Sequence, residues 1–125
     1  MIVGIGTDIM EIDRFNKTIE RFGENITTKL FTKSEITYCR SHQASAKCFA
    51  LHFAAKEALS KAIATGNTGI FRWKDVEVMY PSSGAPTLKL HNALHDQLQQ
   101  HKTSLTLSET ALHVMAFVTI ESADD

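Results

Sequence analysis

Glu57 and Lys61 stand one helical turn apart in the run Phe53-Ala-Ala-Lys-Glu-Ala-Leu-Ser-Lys-Ala62. The stretch from Ala44 to Ala64 has no Pro or Gly and is rich in Ala, Leu and Lys, which predicts a helix. At about 100° per residue, Ala46, Ala50, Phe53, Ala54, Glu57, Lys61 and Ala64 share one stripe. A solvated Glu–Lys pair at this spacing would contribute only a few tenths of a kcal/mol. A solvated face, however, would not be lined with Ala and Phe. A carboxylate in an apolar stripe has to be hydrogen-bonded, paired or bound to a metal to offset its desolvation. Glu57 therefore needs a partner.

A second carboxylate lies far away in sequence. Ile2-Val3-Gly4-Ile5-Gly6 reads as a short buried strand, with glycines where something approaches the backbone closely, and Thr7-Asp8 follows at its end. An Asp after a strand often only forms a turn or caps a helix. The end of a buried strand is also where ligand-binding groups gather. Arg14, Lys17 and Arg21 recur at spacings of three and four. They are either a solvated face balanced by Glu11, Asp13 and Glu20, or a basic stripe that docks an acidic partner. Gly66-Asn-Thr-Gly69 is a turn whose backbone N–H groups would suit a phosphate, although two glycines alone do not specify one. His91 and His95 have the spacing of a two-histidine metal pair, but no third ligand accompanies them.

The elements that must position these groups follow from periodicity. Ile12, Phe15, Ile19 and Phe22 define an amphipathic helix stopped by Gly23. Thr32-Lys-Ser-Glu35 is a capping box that opens a helix through about His42, stapled by Leu30 and Phe31. Val76, Val78 and Tyr80 alternate with polar residues, Pro81 to Pro86 forms a turn and Thr87 to Leu90 returns, giving a hairpin. His91 to His101 reads as a helix with Leu94 and Leu98 inward, and Leu105 and Leu107 as a strand. After a turn at Ser108-Glu109-Thr110, His113 to Glu121 is apolar on both faces and should be a central strand. Trp73 reads as core. The fold class is α+β, a single domain over 1–125 with helices packed on a largely antiparallel sheet.

Composition narrows the function. The 125 residues suffice for one domain with a sizeable core. A net charge of −1 argues against a nucleic-acid binder. No apolar run approaches the roughly 20 residues of a membrane span. Met1 to Gly6 lacks a basic leader and is cut short by Asp8, so it is not read as a signal peptide. Cys39 and Cys48 read as two free thiols suited to a reducing cytosol, and the lack of a C-x-x-C argues against zinc.

With Gly4-Ile-Gly-Thr-Asp8-Ile9 near its start and the Phe53–Ala62 motif in its middle, the chain resembles the holo-[acyl-carrier-protein] synthases. These are the small bacterial class of the phosphopantetheinyl transferases. The resemblance runs over nearly the whole length and includes Ile12 and Arg14, the Gly84-x-Pro86 turn, and Leu107-Ser108 before a last strand through Val118. It implies transfer of phosphopantetheine from coenzyme A to a serine of apo acyl carrier protein, releasing adenosine 3',5'-bisphosphate, in support of fatty acid biosynthesis in the cytoplasm. It implies Asp8 and Glu57 as Mg2+ ligands, supplying the partner Glu57 lacked. Glu57, directly or through a metal-bound water, would take the serine proton; Lys61 would bond a phosphate oxygen; Gly66 and Ser108 would contact coenzyme A. Lys56 points about 100° away from Glu57 and ranks below Lys61. Arg14, Lys17 and Arg21 would face the acidic carrier protein. A homotrimer with the site at the subunit interface is implied as well.

The chain departs from the family pattern in places. His52 stands where an Arg is usual, Glu109 where His or Asp often follows Leu-Ser, and His113 where a Tyr is expected, which leaves the adenosine-side contacts open. Two rivals compete with the transferase reading. One is a small Mg2+-dependent pyrophosphate hydrolase using the same carboxylates, with water as nucleophile. The other is a non-catalytic trimeric module that binds acidic carrier domains through the Arg14 stripe.

Overall fold

The computed structural model describes residues 1–64, 71–82 and 84–122. Its elements are β1 (Ile2–Glu11), α1 (Ile12–Phe22), α2 (Glu24–Leu30), α3 (Lys33–Ser41) and α4 (Ser45–Ala64). A single 3-10 turn (Trp73–Asp75) precedes β2 (Val76–Met79), β3 (Thr87–Leu90), α5 (Asn92–Leu98), β4 (His101–Glu109) and β5 (His113–Ser122).

Glycine decides where the long helix lies. On β1 the even-numbered residues face α4, and Gly4 and Gly6 leave no side chain between strand and helix. A Cβ on Gly6 would run into the carbonyl oxygen of Ala58 and stand 2.7 Å from the Ala62 nitrogen, and one on Gly4 would meet the Ala62 carbonyl. The expected close backbone approach is thus that of α4, whose small Ala54, Ala58 and Ala62 are all buried. β1, β5 and β4 form an antiparallel sheet in that order, with β5 in the centre, as its apolarity on both faces required. Val114, Ala116, Val118 and Ile120 point under α4 and form the core with Leu105. The opposite face is open, with Ile5, Ile9, Met115 and Phe117 exposed.

Both expected helix boundaries near the N-terminus are present. Gly23, at φ 57°, stops α1 and returns its N–H to the Ile19 carbonyl. The Thr32 capping box closes in both directions, at 3.2 Å from the Glu35 N–H and 3.0 Å back to the Glu35 carboxylate. Trp73 packs against the core, as read.

Several expectations need correction. β1 does not end at Asp8: the ladder with β5 carries it on to Glu11, so Asp8 sits mid-strand opposite Ala116. The short α2 was not expected, because Asn25, Thr27 and Thr28 are poor helix formers; burial of Thr27 and Leu30 holds it in place. The hairpin β2–β3 is a separate two-stranded sheet. α5 stops at Leu98, His101 opens β4, and Glu109 belongs to β4 rather than to the turn after it. Phe22 is exposed instead of joining the core. His91 is held by Glu77 at 3.0 Å and His95 lies beside Asp96 in solvent, so they do not pair on a metal. Cys39 and Cys48 are joined in a disulfide, not free, which removes the argument from cysteine usage to a reducing compartment.

Candidate active site

The backbone contact of β1 with α4 brings the two distant carboxylates together. Asp8 is the next inward residue of β1 after Gly4 and Gly6, and Glu57 and Lys61 each precede one of the alanines, Ala58 and Ala62, that lie on those glycines. Lys61 Nζ donates to Asp8 Oδ1 at 3.1 Å and to the Thr7 carbonyl at 3.0 Å. The other carboxylate oxygen, Asp8 Oδ2, is buried without a hydrogen-bond partner among the described residues. Glu57 is half-buried, and its carboxyl pKa is raised, first by burial and then by the Asp8 charge; Lys61 opposes both. Two acidic groups thus crowd one spot, with one ammonium between them. Such a spot favours either a proton on Glu57 or a cation.

The surroundings separate the remaining residues. Phe15 of α1 stacks on Phe53 of α4 with ring centres 5.0 Å apart, fixing α1 beside the site. Arg14, Lys17 and Arg21 are all exposed and form no ion pair among the described residues. Arg14 lines a cleft of about 460 Å³ with Met10, Glu11, Thr18 and His113, which places His113 beside the basic helix. Ser108 lies on the outer face of β4, away from Asp8 and Glu57 within one chain, in a smaller recess with Ile9 and Met115. Gly66 and the turn through Gly69 lie outside the described residues.

Two of the departures noted in the sequence, Glu109 and His52, have charged partners. Glu109 is bound by Lys47, 3.1 Å away at the start of α4, so its negative charge is paired. His52 and Lys56 both turn from Glu57 into the core and meet Glu35. Lys56 Nζ is fully buried and donates to Glu35 Oε1 at 2.6 Å and to the carbonyls of Leu30 and Trp73. The Lys56 pKa is lowered by burial, against the pull of Glu35. Burial alone would raise Glu35, but the His52 hydrogen bond and the Lys56 charge outweigh it and hold the carboxyl below its ordinary value. Lys56 is thus paired inside the core, away from Glu57. Glu35 as the hub of a buried network was missed, because its capping-box role already accounted for it.

Comparison with known proteins settles the family. Residues 4–118 match the family model of the 4'-phosphopantetheinyl transferase superfamily. The chain belongs to that superfamily. A curated holo-[acyl-carrier-protein] synthase from Methylorubrum populi is 41% identical, with 98% of this chain and 95% of the relative covered. The crystal structure of the Neisseria meningitidis holo-[acyl-carrier-protein] synthase superposes with a TM-score of 0.89 at 30% identity, covering 98% of this chain and 100% of that one. The Bacillus anthracis holo-(acyl-carrier-protein) synthase, solved in complex with CoA (3',5'-ADP), reaches 0.78 at 30% identity over 98% of both chains. Within the superfamily this transferase is an enzyme of the holo-[acyl-carrier-protein] synthase branch.

Proposed function

We propose that this chain transfers the 4'-phosphopantetheine of coenzyme A to a serine of apo acyl carrier protein, releasing adenosine 3',5'-bisphosphate, with Mg2+ required. The observation that carries the reading is the meeting of Asp8, Glu57 and Lys61 across the glycine-lined contact. The donor set fits Mg2+, a hard ion that takes oxygen ligands and is usually held by one or two carboxylates plus phosphate oxygens and water. The unpartnered Asp8 Oδ2 and the crowded Glu57 carboxylate are the groups that would hold it. When bound, the ion neutralises charge that builds on the departing bisphosphate.

This chain's own residues do the rest. Glu57, directly or through a water, accepts the proton of the serine hydroxyl. The serine oxygen forms a bond to the pantetheine-side phosphorus of the pyrophosphate, and the bridging P–O bond breaks. Lys61 spends two N–H groups on Thr7 and Asp8, holding Asp8 in place, and has a third for a phosphate oxygen of coenzyme A. Gly66 and Ser108 complete the coenzyme A contacts. Arg14, Lys17 and Arg21 meet the acidic carrier protein along exposed α1.

The open apolar face of the β1–β5–β4 sheet supports a homotrimer with sites at subunit interfaces, since a stable monomer rarely leaves Ile5, Ile9, Met115 and Phe117 together in water. Ser108 lies on that same face, where a neighbouring subunit would find it. We place the reaction in the cytoplasm and in fatty acid biosynthesis on the nature of the substrates.

The test is the intact mass of apo acyl carrier protein after incubation with this protein, coenzyme A and Mg2+, beside a chelator control. A gain of one phosphopantetheine that the chelator abolishes is expected. Breakdown of coenzyme A without carrier protein would instead indicate the hydrolase, and carrier binding without a covalent product the non-catalytic module.

A further inference from the structure

A second cluster of chemistry-bearing side chains sits on the far side of α4 from Glu57. Cys39 in the last turn of α3 and Cys48 in the first turn of α4 form the disulfide, with Cα atoms 5.4 Å apart and both residues buried. His52 follows Cys48 by one helical turn and is fully buried too. A ring nitrogen of His52 and the two sulfurs all lie within 4.8 Å of one another. His52 Nδ1 is 3.0 Å from Glu35 Oε2. Glu35 is held ionised by His52 and Lys56 and can only accept, so Nδ1 carries the hydrogen of that bond and Nε2 is the ring nitrogen left for another partner. Nε2 is buried and has no hydrogen-bond partner among the described residues. A buried polar atom left without a partner in this way costs free energy.

We propose that Cys39, Cys48 and His52 form, once the disulfide is reduced, a binding site for one thiophilic divalent d10 cation of the Zn2+ class. A dithiol reductant supplies two electrons and two protons, converting the disulfide to two thiols and becoming a disulfide itself. The cation then displaces both thiol protons to solvent and takes two thiolates and the Nε2 lone pair. Zn–S bonds of about 2.3 Å and Zn–N bonds of about 2.0–2.1 Å set tetrahedral donors roughly 3.5–3.8 Å apart, inside the 4.8 Å that already spans the two sulfurs and a His52 ring nitrogen. Two thiolates, one divalent cation and a neutral imidazole carry no net charge, so the complex suits a dry core better than a lone ion would. Glu35 on Nδ1 is the outer carboxylate that fixes ring and tautomer in histidine metal sites. Thiolate donors also separate this site from the oxygen-lined one at Asp8 and Glu57, which suits a hard ion.

The experiment uses the full chain, reduced anaerobically, desalted and given Cd2+ alone, with bound cadmium and the ultraviolet thiolate-to-cadmium absorption as readouts. One equivalent is expected in the reduced protein and none showing that absorption in the oxidised protein. Excess Mg2+ should not displace it, and Glu57→Gln should retain it. Cys39→Ser and Cys48→Ser, small changes checked for folding by circular dichroism, should each abolish the absorption, and His52→Asn should weaken retention at least tenfold. A reduced protein that holds no cadmium after desalting, or a Cys39→Ser variant that keeps the absorption, would overturn the site.

Discussion

At the scale of single residues, Glu57 combines opposing demands. Burial and the Asp8 charge favour its proton, while a base or a metal ligand must lack one. Glu57→Gln keeps the size and hydrogen-bonding shape but removes the charge. Turnover of apo carrier protein should fall by about a hundred- to ten-thousand-fold, with the thermal midpoint unchanged or slightly higher. The pH dependence has a definite sign. Without metal, the folded pKa of Glu57 lies above the ordinary 4.5, so the folded chain binds more protons than the unfolded one in that window. Stability therefore falls as pH rises through the window. Mg2+ held by Glu57, as proposed, would reverse this by displacing the proton. Calorimetry in buffers of different ionisation enthalpy should show proton release on Mg2+ binding within the window, and affinity that rises with pH until Glu57 is fully ionised. Affinity that is flat in pH would remove Glu57 from the metal site.

At the scale of elements, two contacts hold the site. The first is the bare backbone of β1 against α4. In Gly6→Ala the new methyl would overlap the Ala58 carbonyl, and overpacking of this kind costs about 1–3 kcal/mol. Because the strand has to move off the helix, kcat should fall as well. Gly84→Ala, with open space around it, is the silent control. The second contact is the clamp of α3 on α4 through Glu35. Glu35→Gln leaves the Lys56 ammonium buried and unpaired, and should cost about 3–5 kcal/mol in urea denaturation. Replacing Lys56 by Met in the same chain should recover part of that loss. Glu35 has a lowered pKa, so its stabilisation is present above the ordinary 4.5 and is lost as pH falls through its folded value. The Gln variant should lack that acid-side decline.

At the scale of the whole molecule, a helix with three exposed basic side chains, a pair of carboxylates and an open apolar sheet face share one small chain. Lys17 and Arg21 stand clear of the cleft that Arg14 lines. Reversing both charges should raise KM for acyl carrier protein, by more at low salt than at high, and leave KM for coenzyme A unchanged. Equal effects at all ionic strengths would mean that α1 does not steer the carrier.

The sequence by itself determined most local structure, because local structure is set by neighbours in the chain. Gly23 ended α1, Thr32 and Glu35 opened α3, and two-sided apolarity placed β5 at the centre of its sheet. It also exposed Asp8 and Glu57 as carboxylates without local partners, and the motifs around them carried the family. What only the tertiary structure decided are pairings between residues distant in sequence. The Glu35–His52–Lys56 network, the Lys47–Glu109 pair, the Cys39–Cys48 bond and the landing of Ala58 and Ala62 on two glycines all depend on how helices pack. Periodicity tells which face of an element turns inward. It does not tell which side chain waits on the other side, and that side chain fixes charge, protonation and ligand.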